Sequence, residues 1–298
     1  MRRLFPVTDM TAGPAVPVAP AGPAGSAAPA GPAASAGPAD GAGTEGGAGT
    51  EGGAGTEGEG GDWSLDALAD AYAYPEGDAP WLRANMVSSL DGAGQHEGRS
   101  QPLSSETDMR IFGTLRGLAD VIVVGAETVR LEGYRPARAR EAFAERRAAA
   151  GQGPAPVIAV VSASLDLDFS LPLFTAPLVP TLVLTGSGAP AERVGAAREA
   201  GAEVLFAGEG TRVDPARALA ALTERGLRRQ LTEGGPRLLG QFVAAGVLDE
   251  LCLTISPTMT AGDAQRIAGG PPVAVPTRFR VASVLERDGF LFTRYLRS

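Results

Sequence analysis

From Trp81 to Leu296 the chain alternates short apolar runs with helical patterns, and this rhythm restricts the fold more than any other feature. A strand, a helix and a second strand close into a parallel pair with the helix packed on the sheet. WLRANMVSSLDG opens the series, with Leu82, Ala84, Met86 and Val87 reading as core-facing and Asp91-Gly92 ending the strand. SSETDMRIFGTLR predicts a helix capped by Ser104 or Ser105 and running through Arg116, with Glu106, Thr107 and Asp108 in its first turn. Met109, Phe112 and Leu115 form its expected apolar stripe. DVIVVG, VIAVVSAS, TLVLTGSG, EVLF and RRQLTEGG then read as strands, separated by helical stretches that include Ala137 to Ala149, Glu192 to Ala200 and Asp214 onward. DELCLTIS, RFRVASVLE and GFLFTRYL follow with no helix between them. The expectation is an α/β fold, an open and mostly parallel sheet with helices on both faces and an antiparallel C-terminal hairpin.

Ligands in such sheets bind past the carboxyl ends of the strands. Three of these ends carry Gly or Ser: Gly125-Ala126, Ser162-Ala163-Ser164 and Gly234-Gly235. The last lies in LTEGGPRLLGQFV, where Glu233 and two glycines precede Pro236 and an amphipathic helix. Glycines let backbone approach a ligand, Pro suits the first helical position, and the free N–H groups of a helix start attract anions. A dinucleotide pyrophosphate suits this turn, although the same pattern also makes an ordinary strand-to-helix connection.

Composition divides the chain. Residues 10–61 are almost wholly Ala, Gly, Pro, Thr and Glu, with GAGTEG three times in succession from Gly41. This is expected to be a disordered spacer, because it has nothing to bury. Residues 62–298 are expected to form one domain, with residues 1–9 packed on it and the spacer as an inserted loop. The formal charge of −8 overstates the acidity of the folded part, since Asp40, Glu45, Glu51, Glu57 and Glu59 lie in the spacer and leave about −3 for the rest. No basic footprint for nucleic acid and no membrane-spanning run is visible, so a soluble cytoplasmic protein is expected.

All 26 basic residues are Arg, and the chain has one His (His96) and one Cys (Cys252). That inventory excludes a Walker lysine, a Schiff-base lysine, a CxxC pair and a His/Cys zinc site. A Ser-His-Asp hydrolase would need His96, which lies in DGAGQHEGRS with no GxSxG elbow. Cys252 sits in the apolar run ELCLTIS and reads as a core residue.

The blocks NMVSSLDGA, GRSQPLSS, LRGLADVIVVGAETVRLEGY and LTEGGPRLLGQFVAAGVLDELCLTISP together resemble the reductase domain of bacterial riboflavin biosynthesis, most closely its stand-alone actinobacterial pyrimidine reductase branch. The resemblance covers Trp81 to Leu296 and implies a dihydrofolate-reductase-like three-layer αβα sandwich. It also implies NADPH-dependent reduction of a phosphorylated ribosylaminopyrimidine, of the 5-amino-6-(5-phosphoribosylamino)uracil type, in a homodimer. Hydride transfer needs no nucleophile, which agrees with the inventory. The zinc deaminase often fused to such reductases needs cysteines that this chain lacks.

By the same resemblance, Glu233 faces substrate, and Gly234, Gly235, Pro236, Arg237, Leu238, Leu239, Gly240 and Gln241 hold the cofactor phosphates. Val87, Thr128 and Glu132 contact cofactor, while Ser100 and Arg116 bind the pyrimidine and its phosphate. Arg135 and Arg138 are further phosphate candidates, although EGYRPAR departs from the family's more common loop. Ser162 and Ser164 would meet the adenosine ribose or 2′-phosphate, or form a turn. Asp108 corresponds to a carboxylate that contacts the pteridine in folate-reducing relatives, or it complements the helix dipole. Two other functions remain open: a reductase of dihydrofolate or a similar heterocycle, and a catalytically silent NADP-binding protein.

Overall fold

The computed structural model describes residues 1–5 and 63–298, and the expected spacer at 10–61 lies outside the described residues. The elements follow in chain order as β1 (Arg2–Phe5), α1 (Leu65–Ala71), β2 (Trp81–Ser88), α2 (Glu106–Leu118), β3 (Val121–Gly125), α3 (Ala126–Leu131), α4 (Ala144–Ala149), β4 (Val157–Val161), α5 (Pro172–Thr175), β5 (Leu182–Thr185), α6 (Ala191–Glu199) and β6 (Glu203–Phe206). α7 (Pro215–Glu224), β7 (Arg229–Thr232), α8 (Pro236–Ala244), β8 (Glu250–Ile255), β9 (Phe279–Arg287) and β10 (Phe290–Arg297) complete the chain.

All ten strands form one sheet in the order β1-β9-β10-β8-β2-β7-β3-β4-β5-β6. From β8 to β6 every neighbouring pair is parallel, whereas β1, β9, β10 and β8 pair antiparallel. The expected α/β architecture, a mostly parallel sheet between helical layers with antiparallel C-terminal strands, is therefore the observed class. Asp288 and Gly289 join β9 to β10 with positive φ at both positions, the turn whose twist matches a hairpin.

The sheet separates two cores. On one side Ile122, Val124, Val160 and Val183 pack with Leu68 of α1, Ile111 and Leu115 of α2 and Val194 of α6. On the other, Val121, Val123 and Ala159 pack with Leu219 and Leu222 of α7 and Leu238, Leu239 and Phe242 of α8. Strands β3 and β4 contribute alternate residues to the two cores, which explains their unbroken apolar runs.

Several local readings are corrected. The helix expected from Ala137 to Ala149 reduces to α4 with one preceding 3-10 turn, because residues 134–140 run as an irregular segment against α2. Its approach needs the small residues of that helix, since a Cβ at Gly113 would meet the Arg140 guanidinium and one at Gly117 the Phe143 ring. The core stripe of α2 is Ile111, Leu115 and Leu118, and Met109 is about half exposed. β10 lies between β9 and β8 within the sheet, while β1 and β6 are the outer strands.

Candidate functional site

The strand order places the glycine turn at the middle of the sheet. β7 enters between β2 and β3, although both precede it by many residues in sequence, so its carboxyl end opens at a crossover. Glu233 N–H donates to the Val123 carbonyl at 3.3 Å and Gly125 N–H to the Gly234 carbonyl at 2.8 Å, so the ladder with β3 continues into the turn. Gly234 has φ +79°, a left-handed conformation that favours glycine. The Gly234-Gly235 peptide is cis. A Cβ at Gly235 would lie 2.7 Å from Thr128 Oγ1, so glycine admits the Thr128 hydroxyl beside the turn. α8 starts at Pro236 with no side chain capping it, which leaves its positive end open.

This turn borders a cleft of about 1260 Å³ that runs past the carboxyl ends of β2, β7, β3 and β4. Single-ligand pockets span roughly 300–1,000 Å³, so the cleft is larger than an ordinary single-ligand site. Gly235, Pro236, Arg237, Leu238 and Gln241 line it on one flank, and Thr128 and Glu132 on another. Leu239 is buried in the core, and Gly240 faces the backbone of Gly269 instead of the cleft. Val87, Ser100 and Arg135 line the cleft, whereas Arg138 borders a neighbouring depression with Leu171 and Pro172.

Glu233 is the centre of a charged cluster. Its two carboxylate oxygens accept from Arg116 Nε and Nη2, each at 2.6 Å, and the Tyr134 hydroxyl donates to the same carboxylate. Arg116 Nη2 also donates to the Tyr134 oxygen at 2.8 Å, and its guanidinium stacks 4.4 Å from the Phe112 ring centroid. Burial opposes the Arg116 charge, but Glu233 outweighs it and raises the pKa, so the guanidinium stays protonated. Burial, reinforced by Glu233, raises the Tyr134 hydroxyl well above its usual value, so it remains a donor. With Nε and Nη2 engaged, Nη1 keeps the fork's remaining two donors for a ligand.

Asp108 faces the same cleft from the first turn of α2, one turn before Phe112 and two before Arg116. It is buried, and accepts from the Ser104 hydroxyl at 2.5 Å and the Thr254 hydroxyl at 2.6 Å. Burial raises its pKa above the ordinary carboxylate value despite these bonds. Ser100 and Glu132 meet across the mouth, with the Ser100 hydroxyl 3.3 Å from Glu132 Oε1. Thr128 lies inside α3 and does not cap it, since Gly125 holds the cap position. Ser162 Oγ accepts from Leu165 N–H at 3.0 Å and Ser164 Oγ from Asp166 N–H at 3.3 Å, turn bonds at the far end of the cleft.

Sequence reasoning missed Tyr134, which lies within the EGYRPAR stretch already singled out, and assigned Met109 and Phe112 to the core although both line the cleft. Their spacing from Asp108 to Arg116 on one helix face was the available signal. Gln265 and Pro271 also line the cleft from the long β8–β9 connection, for which the sequence gives no comparable pattern. Among the described residues, no group of His, Cys, Asp and Glu could hold a metal ion, and no helix is long and apolar enough to cross a membrane.

The parallel sheet, with an uncapped helix start and a large cleft at its central crossover, defines an α/β protein with a ligand cleft at the carboxyl edge of its strands. The chain belongs to the RibD C-terminal domain family, which it matches over residues 80–289. It is 31% identical over 184 residues to the 2,5-diamino-6-ribosylamino-4(3H)-pyrimidinone 5′-phosphate reductase of Archaeoglobus fulgidus, covering 61% of this chain and 83% of the relative. The reductase of the same description from Methanothermobacter thermautotrophicus is 32% identical over 192 residues, covering 64% and 84%. A pyrimidine reductase-like protein from Corynebacterium diphtheriae superposes with a TM-score of 0.68 at 29% identity, over 78% of this chain and 98% of that one. RibD from Acinetobacter baumannii shares the fold at a TM-score of 0.58 and 17% identity, over 74% of this chain and 58% of that one.

Proposed function

We propose that the chain is an NADPH-dependent reductase of a ribosylaminopyrimidine 5′-phosphate in riboflavin biosynthesis, acting by hydride transfer without covalent catalysis. The observation that carries this reading is the uncapped start of α8 at the Gly234-Gly235 turn, opening into the same cleft as Glu233, Arg116 and Asp108. Gly235, Pro236, Arg237, Leu238 and Gln241 supply the flank that takes the cofactor phosphates, with Thr128 and the backbone at Val87 beside it. NADPH supplies the hydride when bound. Glu233, fixed by Arg116 and Tyr134, presents a positioned carboxylate to the pyrimidine, and Arg116 Nη1 with Ser100 and Arg135 meets its polar groups and phosphate. Asp108, its pKa raised by burial, is suited to hold a proton near the ring.

The curated relatives carry a 2-amino pyrimidinone in their names, and the uracil-type substrate differs from it by an oxygen at that position. The test is NADPH oxidation by the purified chain with each pyrimidine and with dihydrofolate. Turnover of a ribosylaminopyrimidine phosphate, lost in Glu233→Ala, is expected. NADPH binding without reduction of any substrate would mark a silent binding protein, and turnover of dihydrofolate alone would replace the substrate.

The remaining parts of the reading concern organisation. Residues 1–9 belong with the reductase domain, supported by the pairing of Arg2 and Arg3 with Glu286 and Leu285 on β9. Deleting them lowers the unfolding midpoint. The protein works as a cytoplasmic homodimer, and a single monomer mass in sedimentation would refute the pairing.

A further inference from the structure

We infer that Arg212 reads the 2′-phosphate of the cofactor and thereby makes the chain prefer NADPH over NADH. This rests on the dinucleotide reading of the cleft and adds the residue that chooses between the two nucleotides.

The two ends of the cleft differ in construction. At one end it holds Asp108, Glu233 and the neutralised Arg116; past β4 it reaches Ser162 and Ser164, and from beyond β6 it is lined by Arg212. β4 stands two places from β7 in the sheet, about 10 Å at the usual strand spacing, so Ser162 and Ser164 lie about one sugar beyond a diphosphate held at Gly235. A ligand whose diphosphate sits at the turn and whose reactive ring faces Glu233 therefore puts its other ribose at this end.

The backbone of Arg212 is fixed by glycines. Ser187 N–H donates to the Gly208 carbonyl at 2.9 Å and Gly188 N–H to the Gly210 carbonyl at 2.6 Å, locking the loops after β5 and β6 together. A Cβ at Gly186 would lie 2.7 Å from the Arg212 carbonyl oxygen, and one at Gly208 would lie 2.1 Å from it. The side chain rising from this base has no hydrogen bond or ion pair among the described residues. The nearby acids are engaged elsewhere: Asp214 caps α7 through Arg217 N–H, Glu209 pairs with Arg217, and Asp166 pairs with Arg130. Ser162 and Ser164 accept backbone bonds, so each hydroxyl proton is left to donate. One unneutralised guanidinium and two hydroxyl donors suit a phosphate monoester far better than a ribose diol.

Glu127 is the competing feature. It lines the cleft, and a carboxylate at the ribose hydroxyls would favour the unphosphorylated cofactor. It lies two residues after Gly125, whose N–H donates to Gly234, which puts it near the diphosphate turn and away from Arg212.

The test is calorimetric titration of the full chain with 2′-phospho-ADP-ribose and with ADP-ribose, neither of which requires turnover. The wild type is expected to bind the phosphorylated ligand at least about tenfold more tightly, and Arg212→Ala to lose most of that difference by weakening this ligand alone. Arg212→Lys should restore part of it. Equal binding of both ligands by the wild type, tighter binding of ADP-ribose, or equal weakening of both in Arg212→Ala would overturn the inference while leaving the dinucleotide site intact. Failure of the wild type to bind either ligand would refute the dinucleotide reading itself. Absence of pyrimidine reduction with the expected binding would refute the substrate alone.

Discussion

Gly240 and Gly195 are both glycines inside helices, and the structure predicts that alanine at the two sites has opposite effects. Alanine in a helix interior is favoured over glycine by roughly 1 kcal/mol, so each substitution starts with the same gain. At Gly195 on α6 a Cβ would have no neighbour within 4 Å, and the gain should appear in full. At Gly240 on α8 a Cβ would lie 1.5 Å from the carbonyl oxygen of Gly269 and 2.7 Å from its carbon. These are backbone atoms, so either α8 or the β8–β9 connection must move. Overpacking of this kind typically costs about 1–3 kcal/mol, occasionally more. Net destabilisation of up to about 2 kcal/mol follows, a fall in melting temperature of a few degrees at the roughly 2–4 °C per kcal/mol usual for a domain of this size.

The same displacement reaches the site. Gly269 N–H donates to the Pro236 carbonyl at 3.0 Å, so pushing Gly269 away disturbs the first turn of α8. Gly240→Ala should therefore raise the KM for NADPH as well, with kcat changed less, whereas Gly195→Ala should leave both unchanged. Thermal unfolding and steady-state kinetics of the two variants check this. Gly240→Ala melting at or above the wild type would refute the close packing of the β8–β9 connection on α8.

Glu250 is fully buried and accepts from Arg83, Arg294 and Trp81. Glu250→Gln should cost about 3–5 kcal/mol in urea unfolding, since it leaves the buried Arg83 charge without its partner, and a loss below about 1 kcal/mol would refute that. Tyr134→Phe removes one hydroxyl from the Glu233 cluster; kcat/KM should fall by about tenfold with stability reduced by only about 1 kcal/mol. An unchanged kcat/KM would remove Tyr134 from the positioning of Glu233. Asp108 has a raised pKa, so the folded state binds its proton more readily than the unfolded chain does. The wild type should gain stability relative to Asp108→Asn as pH falls towards the carboxylate range, and lose that advantage as pH rises through the folded pKa. Denaturation midpoints of the pair across pH test this, and a difference that grows with pH would contradict it.

What the sequence revealed was local, and what it concealed was a matter of neighbours. The order of strands and helices follows from periodicity, and Gly234-Gly235-Pro236 announced its turn because both glycine and proline act on the backbone at their own positions. The insertion of β7 between β2 and β3 and the interior position of β10 depend on pairings between distant segments, which no run of residues encodes by itself. Met109 and Phe112 show a different limit. An apolar residue on a helix face reads the same whether it meets a core or a ligand cleft, and the core face of α2 shares Leu115 with the expected stripe but runs through Ile111 and Leu118 instead of Met109 and Phe112. Arg83 and Glu250 show a third: each is a charge inside an apolar strand, and the partner that makes burial tolerable lies 167 residues away.

The pairing of Arg116 with Glu233 alters how the substrate end of the cleft must work. An arginine in this place suggests a phosphate clamp, but a bidentate carboxylate already fills one edge of its fork, and the pair carries little net charge. Attraction for a dianionic phosphate must then come chiefly from other cations; Arg135, Arg212 and Arg237 line the cleft without an ion-pair partner among the described residues, and Arg135 is the one next in sequence to Tyr134 of the Glu233 cluster. Arg116 holds Glu233 in one orientation, and Tyr134 closes the remaining approach to the carboxylate. If this division holds, Arg135→Ala raises the KM for the phosphorylated pyrimidine several-fold and leaves that for its dephosphorylated form unchanged, whereas Arg116→Lys impairs both because it releases the glutamate. Equal effects of both variants on both pyrimidines would show instead that Arg116 and Arg135 act on the phosphate together.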